Sequence, residues 1–179
     1  TRKNGLHQKN WSDIFKKCQN SSDNRYGELY QIIEQELQYL DNGWPRNLPM
    51  GIIHGDIFPD NVFFIDNKVS GLIDFYFSCN DFYAYDLAIT TNAWCFDKKE
   101  SFNKINFDAL LKGYQQQIDM SNDEKIHFNT LLRGAAVRIL VTRLHDQLYH
   151  PDGAMVVPKD PFESFNILKW HQNNSVFDS

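Results

Sequence analysis

Ile53-His54-Gly55-Asp56-Ile57-Phe58-Pro59-Asp60-Asn61-Val62-Phe63-Phe64-Ile65-Asp66-Asn67-Lys68-Val69-Ser70-Gly71-Leu72-Ile73-Asp74-Phe75 reads as a polar loop running into a β-hairpin. Val62 to Ile65 and Val69 to Ile73 are short apolar runs, and Asp66-Asn67-Lys68 between them has turn chemistry. With Asn67 and Lys68 as the loop, Asn61 falls opposite Asp74, and directly opposed residues hold their Cβ atoms about 4.5–5.5 Å apart. Two polar side chains distant in sequence thus become neighbours.

Upstream, Met50-Gly51-Ile52-Ile53 is another apolar run, preceded by a helix in which Leu29, Ile32, Ile33, Leu37 and Leu40 recur at helical spacing until Asn42-Gly43 and Pro45 stop it. Residues 1–25 are polar, anchored by Trp11, Ile14 and Phe15. Downstream, helices are expected over Leu87–Trp94, Phe107–Ile118, Asp123–Leu148 and Pro161–His171, the last with Asp160 as cap and Pro161 at its first position. The expected fold is mainly α with a small β-hairpin, one domain over residues 1–179.

Composition narrows the function classes. The chain has 179 residues, 42% hydrophobic and 23% charged, which fits a globular domain with its own core. The net charge of −5 argues against nucleic acid and against a polybasic membrane patch. No apolar run is long enough for a membrane span, and Thr1-Arg2-Lys3 is not followed by a signal-peptide core. Three dispersed cysteines without a CxxC pair argue for a reduced, cytoplasmic chain and against structural zinc. Six aspartates (56, 60, 66, 74, 81 and 86) and one lysine within residues 51–86 account for the whole net charge. Two readings of that cluster stand: turn and cap chemistry, or carboxylates awaiting a divalent cation.

The loop itself favours the second. His54, Asp56 and Asn61 match H-x-D-x-x-x-x-N, the catalytic-loop pattern of protein-kinase-like phosphotransferases, and the hairpin returns Asp74 beside it. In that chemistry Asp56 takes or orients the proton of an attacking hydroxyl. Asn61 and Asp74 hold Mg²⁺ on the phosphates of ATP, and His54 braces the loop by hydrogen bonding.

These residues resemble the aminoglycoside phosphotransferase and choline kinase superfamily, which has a protein-kinase-like α+β fold. Within it, the chain is most similar to the homoserine kinases. The similarity runs through Gly71-Leu72-Ile73-Asp74-Phe75-Tyr76-Phe77, Tyr85-Asp86-Leu87-Ala88, Asn92-Ala93-Trp94-Cys95-Phe96, Arg133-Gly134-Ala135-Ala136, Thr142-Arg143-Leu144 and Lys159-Asp160-Pro161. It covers only the C-terminal, helical lobe of that family. The nucleotide-covering N-terminal lobe is absent from these residues, so the chain is expected to be a piece of a longer enzyme and inactive alone.

The resemblance implies an amino-acid acceptor with a hydroxyl, an ammonium and a carboxylate. Arg143 falls on the apolar stripe of Leu132, Ala136, Ile139 and Leu140, where an arginine needs a partner. That partner is either Asp146, one turn on, or the substrate carboxylate gripped in a fork-like contact. Arg138, on another face, is the second carboxylate candidate. Asp81 either binds the ammonium or belongs to an Asn80-Asp81 turn. Trp94 and the aromatics from Phe75 to Tyr85 read as core or pocket wall. Rival substrates are choline or ethanolamine, caged by those aromatics near Asp81, and an aminoglycoside, which requires an acidic cleft. A catalytically silent interaction module is the rival of another class, and retention of Asp56, Asn61 and Asp74 speaks against it.

Overall fold

Helix α5 (Asn122–Leu148) organises the molecule. Ser121 and Glu124 cap it reciprocally: Ser121 Oγ accepts from Glu124 N at 3.2 Å, and Glu124 Oε2 accepts from Ser121 N at 2.8 Å. Phe128, Leu131, Leu132, Ala135, Leu140, Val141 and Leu144 are all buried along it. Residues on more than one face are covered because α1 (Gln8–Gln19), α2 (Gly27–Gly43), α3 (Tyr83–Trp94) and α6 (Pro161–Asn173) pack around α5. Each such fully buried leucine or phenylalanine contributes roughly 1.5–3 kcal/mol. The computed structural model describes residues 4–21, 24–97, 101–151, 153 and 157–178; the opening Thr1-Arg2-Lys3 lies outside them.

Where α5 passes Trp44 there is no room for a side chain. A Cβ on Gly134 would lie 2.3 Å from the Trp44 ring and 3.1 Å from that of Trp11. The two indoles meet edge to face at 5.3 Å, and Trp44 meets Tyr85 in the same way at 5.4 Å. Trp11 belongs to α1, a helix the polar composition of residues 1–25 conceals. Its buried positions Trp11, Phe15 and Cys18 are spaced four and three apart, as one helix face requires.

Four short strands complete the described fold, joined by α4 (Lys104–Gln115) on the far side of α3. Strand β1 (Met50–Ile53) pairs antiparallel with β4 (Cys79–Phe82), and β2 (Val62–Ile65) with β3 (Lys68–Leu72). The β1–β4 ribbon is a correction to the single expected hairpin: Asn80-Asp81 lies inside a strand, opposite Ile52 and Gly51. Cys79-Asn80-Asp81-Phe82 contains no β-branched residue to announce it.

The expected hairpin register also changes. Asp66 and Asn67 both take positive φ, 49° and 60°, forming a two-residue turn that sets Ile65 opposite Lys68. A bulge at Ser70 then shifts the pairing, so that Val62 faces Leu72. Ile73 N donates to Asn61 O at 3.1 Å, so Ile73, not Asp74, stands opposite Asn61. Among the described residues no helix is long and apolar enough to cross a membrane. Among the described residues the three buried cysteines form no disulfide.

Candidate active site

The β1–β2 connection, residues 54–61, is held from every side. Gly55 sits at φ +77°, and a Cβ there would press on Phe77 O at 3.1 Å, so the position requires glycine. His54 N and Gly55 N donate to the two carboxylate oxygens of Asp86, at 3.0 and 2.8 Å. His54 Nε2 donates to Ile73 O at 3.0 Å, tying the loop to the end of β3. Trp94 Nε1 donates to Ile57 O at 2.9 Å from the end of α3. Arg138, buried in α5, donates through Nη1 to Gly55 O and brings Nη2 within 3.6 Å of Asp56 Oδ1.

Asp56 is thereby presented at the mouth of a cleft. Asn61 Nδ2 donates both to Asp56 O, at 2.8 Å, and to Asp56 Oδ2, at 3.1 Å, leaving the amide oxygen of Asn61 for another partner. Asp74 leaves the β3 ladder in the left-handed region, φ 61° and ψ 58°, and its exposed carboxylate accepts from Tyr76 N at 3.4 Å. Aspartate tolerates that conformation better than most residues. Asp56, Asn61 and Asp74 line one cavity of about 280 Å³ together with Phe58, Thr142 and Arg143. Burial pushes the Asp56 carboxyl above its ordinary value; the Arg138 guanidinium opposes this and the Asp74 charge adds to it. A carboxylate held above its usual range is a stronger base near neutrality.

The remaining expected site residues separate. Arg143 lies on the cleft, but its expected partner Asp146 is replaced: Arg143 Nη1 donates to Glu163 Oε2 at 2.8 Å and to Asp160 O at 3.0 Å. Arg138 is a correction, because its guanidinium is buried behind the loop and engaged with Gly55 and Asp56 rather than open to an acceptor. Asp81 is also a correction. It is buried on β4, where Oδ2 accepts from Asn4 Nδ2 at 2.7 Å and Oδ1 from Phe82 N at 2.8 Å. Trp94 braces the loop and walls an apolar cavity with Phe64 and Tyr114, away from the acidic cleft. Asp86, which carries the loop backbone, was legible as one of the six clustered aspartates and in the Tyr85-Asp86-Leu87-Ala88 similarity, but not as the support of the loop. Glu163 carried no signal beyond its place in the first turn of α6.

The phosphotransferase enzyme family matches over residues 6–118. The homoserine kinase of Parvibaculum lavamentivorans is 48% identical over 171 residues, covering 96% of this chain and 53% of that protein. The homoserine kinase of Sinorhizobium fredii is 46% identical over 172 residues, with the same coverages. That of Rhodopseudomonas palustris strain BisA53 is 48% identical over 178 residues, 99% of this chain and 55% of its own. The chain therefore spans about half the length of the curated relatives it matches. Among solved structures, an aminoglycoside-3'-phosphotransferase of type VIII superposes with a TM-score of 0.54 at 23% identity, over 72% of this chain and 49% of that one. The shared fold is that of a protein-kinase-like phosphotransferase lobe.

Proposed function

The chain belongs to the phosphotransferase enzyme family, and from that premise we propose that it is the catalytic and acceptor-binding lobe of an ATP-dependent kinase that converts homoserine to O-phosphohomoserine, a cytoplasmic step toward threonine. The observation that carries the proposal is the convergence of Asp56, Asn61 and Asp74 on one cleft from the loop, the start of β2 and the end of β3. The homoserine kinases near 47% identity supply the acceptor.

Asp56 receives the proton of the acceptor hydroxyl while the acceptor oxygen displaces ADP from the γ-phosphorus. Arg138 and Asn61 fix the carboxylate, and Asp86 with His54 fixes the loop that carries it. The donor set fits a hard divalent cation, since Asn61 Oδ1 is not spent on the loop and the Asp74 carboxylate is exposed. Mg²⁺ bound there with ATP supplies neutralisation of the charge that develops on the phosphoryl group. The nucleotide-covering lobe lies outside these residues in this reading. Phe63, Ile65, Ile73, Phe75 and Tyr76 leave an exposed apolar surface on the hairpin side for it to cover.

One feature disfavours the choline and ethanolamine acceptors. Phe82 and Tyr85 are buried around a satisfied Asp81 and form no cage for a quaternary ammonium. The test is ATP-dependent turnover of L-homoserine, choline, ethanolamine and kanamycin by the complete enzyme. Homoserine is the expected acceptor; phosphorylation of choline or kanamycin without homoserine overturns the assignment. Absence of any turnover that depends on Asp56 favours the silent module.

A further inference from the structure

A second cavity, about 290 Å³, opens between α3, α5 and α6. It is continuous with the cleft, since Phe58, Asp60, Ile139, Arg143 and Lys159 line both. Its floor is apolar, with Ala135, Ala136 and Ile139 from α5, and four of its five charged groups come in opposite pairs, while the fifth, Asp97, accepts from Ser101 N at 3.0 Å. Lys159 Nζ meets Asp60 Oδ2 at 2.7 Å, and both side chains are more than half exposed, so that pair sits in solvent at the rim. Arg143 differs. Its side chain is only 14% exposed, while its partner Glu163 is 58% exposed. Both hydrogen bonds recorded for Arg143 leave from Nη1. Among the described residues Nε and Nη2 make none, so one edge of the guanidinium fork is uncommitted.

We infer that Arg143 and Glu163 form a two-ended clamp for the α-amino-acid end of the acceptor, Arg143 taking the carboxylate and Glu163 the ammonium. The inference rests on the kinase reading above and deepens it by naming what selects the acceptor. A zwitterion inserted along this ion pair gives each protein charge an opposite ligand charge, so the largely buried Arg143 is not left unpaired. A cation lacking the carboxylate leaves Arg143 without compensation, and an anion lacking the ammonium leaves the exposed Glu163 with no opposite ligand charge. The planar fork of arginine suits a carboxylate, which it grips through two parallel hydrogen bonds. The cavity has room for an acceptor of eight non-hydrogen atoms, and its junction with the cleft directs the far end of that molecule, the hydroxyl, toward Asp56.

Three acceptors assayed on the complete enzyme test the clamp: L-homoserine, 3-aminopropan-1-ol, which lacks the carboxylate, and 4-hydroxybutanoate, which lacks the ammonium. Wild type prefers homoserine over both. Arg143→Met narrows the preference over the amino alcohol, and Glu163→Gln the preference over the hydroxy acid, each by roughly 10- to 100-fold in kcat/KM. The double exchange Arg143→Glu with Glu163→Arg restores an ion pair, and with it the thermal midpoint, but leaves the homoserine preference lost. A merely structural pair behaves differently: the single variants lower turnover of all three acceptors in parallel, or the double exchange restores the preference, and either result overturns the clamp. A wild type that prefers homoserine over neither analogue overturns it as well. A wild type that phosphorylates none of the three instead removes the kinase reading, and the clamp with it.

Discussion

The loop at residues 54–61 and the hairpin beside it carry the same chemistry on opposite terms. Every turn of the loop is fixed by groups within this chain: Asp86 under its backbone, Trp94 at Ile57 and Arg138 at Gly55. The hairpin is fixed mainly by its own ladder and exposes Phe63, Phe64, Ile65, Val69 and Ile73. Exposed apolar side chains in that number fit a surface that a further partner would cover. Under the kinase proposal, the acceptor side of the site is fixed by this chain's own groups, whereas the exposed hairpin is where a nucleotide-side partner would pack. Measurable ATP turnover by the 179 residues alone would erase that distinction.

The sharpest test of the loop is to change its chemistry without its shape. Asp56→Asn keeps the backbone oxygen that Asn61 binds and removes the base. The expected result is a 10²–10⁴-fold fall in kcat for the complete enzyme with a thermal midpoint close to wild type. Activity within tenfold of wild type excludes Asp56 as the base. In the wild type, activity falls as acid protonates Asp56, and the fall begins at a higher pH than an ordinary aspartate would give, because burial raises this carboxyl.

Next in size is the support beneath the loop. Asp86→Asn replaces one of two acceptor oxygens with a donor, so either His54 N or Gly55 N faces an N–H group. An unsatisfied buried donor costs about 1–3 kcal/mol. Chemical denaturation should therefore show a loss of about 2 kcal/mol, accompanied by a drop in kcat although residue 86 lies outside the cleft. Unchanged stability would mean that the loop is held by its other anchors.

The helical side has its own acid sensitivity. His171 on α6 is fully buried, donates from Nε2 to Asn92 Oδ1 at 2.8 Å, and burial pushes its pKa down to about 3. Above pH 6.5 the ring is neutral in both folded and unfolded chains and pH has no effect through it. Below that, the unfolded chain takes a proton the folded one refuses, so stability falls as pH falls, by on the order of 2 kcal/mol at pH 5. In His171→Gln the slope of stability against pH between 5 and 6.5 should lose about one proton. An unchanged slope assigns the acid sensitivity to other groups.

The same contrast governs what the sequence discloses. His54, Asp56 and Asn61 are legible because their spacing is local, and Asp74 because one hairpin returns it. The roles of Arg138 and Asp86 are not, since the contacts that define them span 83 and 31 residues. Arg143 was legible as an arginine in need of a partner, but not the identity of that partner, because Glu163 approaches from another helix. Helix α1 was hidden by a polar composition in which Trp11, Ile14, Phe15 and Cys18 are the only apolar positions of twelve. Strand β4 was hidden because Asn80 and Asp81 have turn propensity, and pairing with β1 overrides it. The register differed by one step because the tight Asp66-Asn67 turn moved it and the Ser70 bulge moved it partly back.

The smallest effect is expected on the exposed face of the hairpin. Ile73 is exposed, and its backbone rather than its side chain ties the hairpin to the loop, through Ile73 N to Asn61 O and Ile73 O to His54 Nε2. Ile73→Thr keeps both bonds and the β-branched shape the strand end favours, while making the outer surface more polar. In the 179-residue chain its stability should stay within about 0.5 kcal/mol of wild type, as for a surface substitution that breaks no packing. In the complete enzyme, where the proposed nucleotide-side lobe would cover that surface, the KM for ATP should rise several-fold while that for homoserine stays close to wild type. Equal effects on both substrates would place Ile73 on the acceptor side. No effect on either would leave the apolar hairpin face without a nucleotide-side partner, and the division between a finished and an unfinished half of the site would no longer hold.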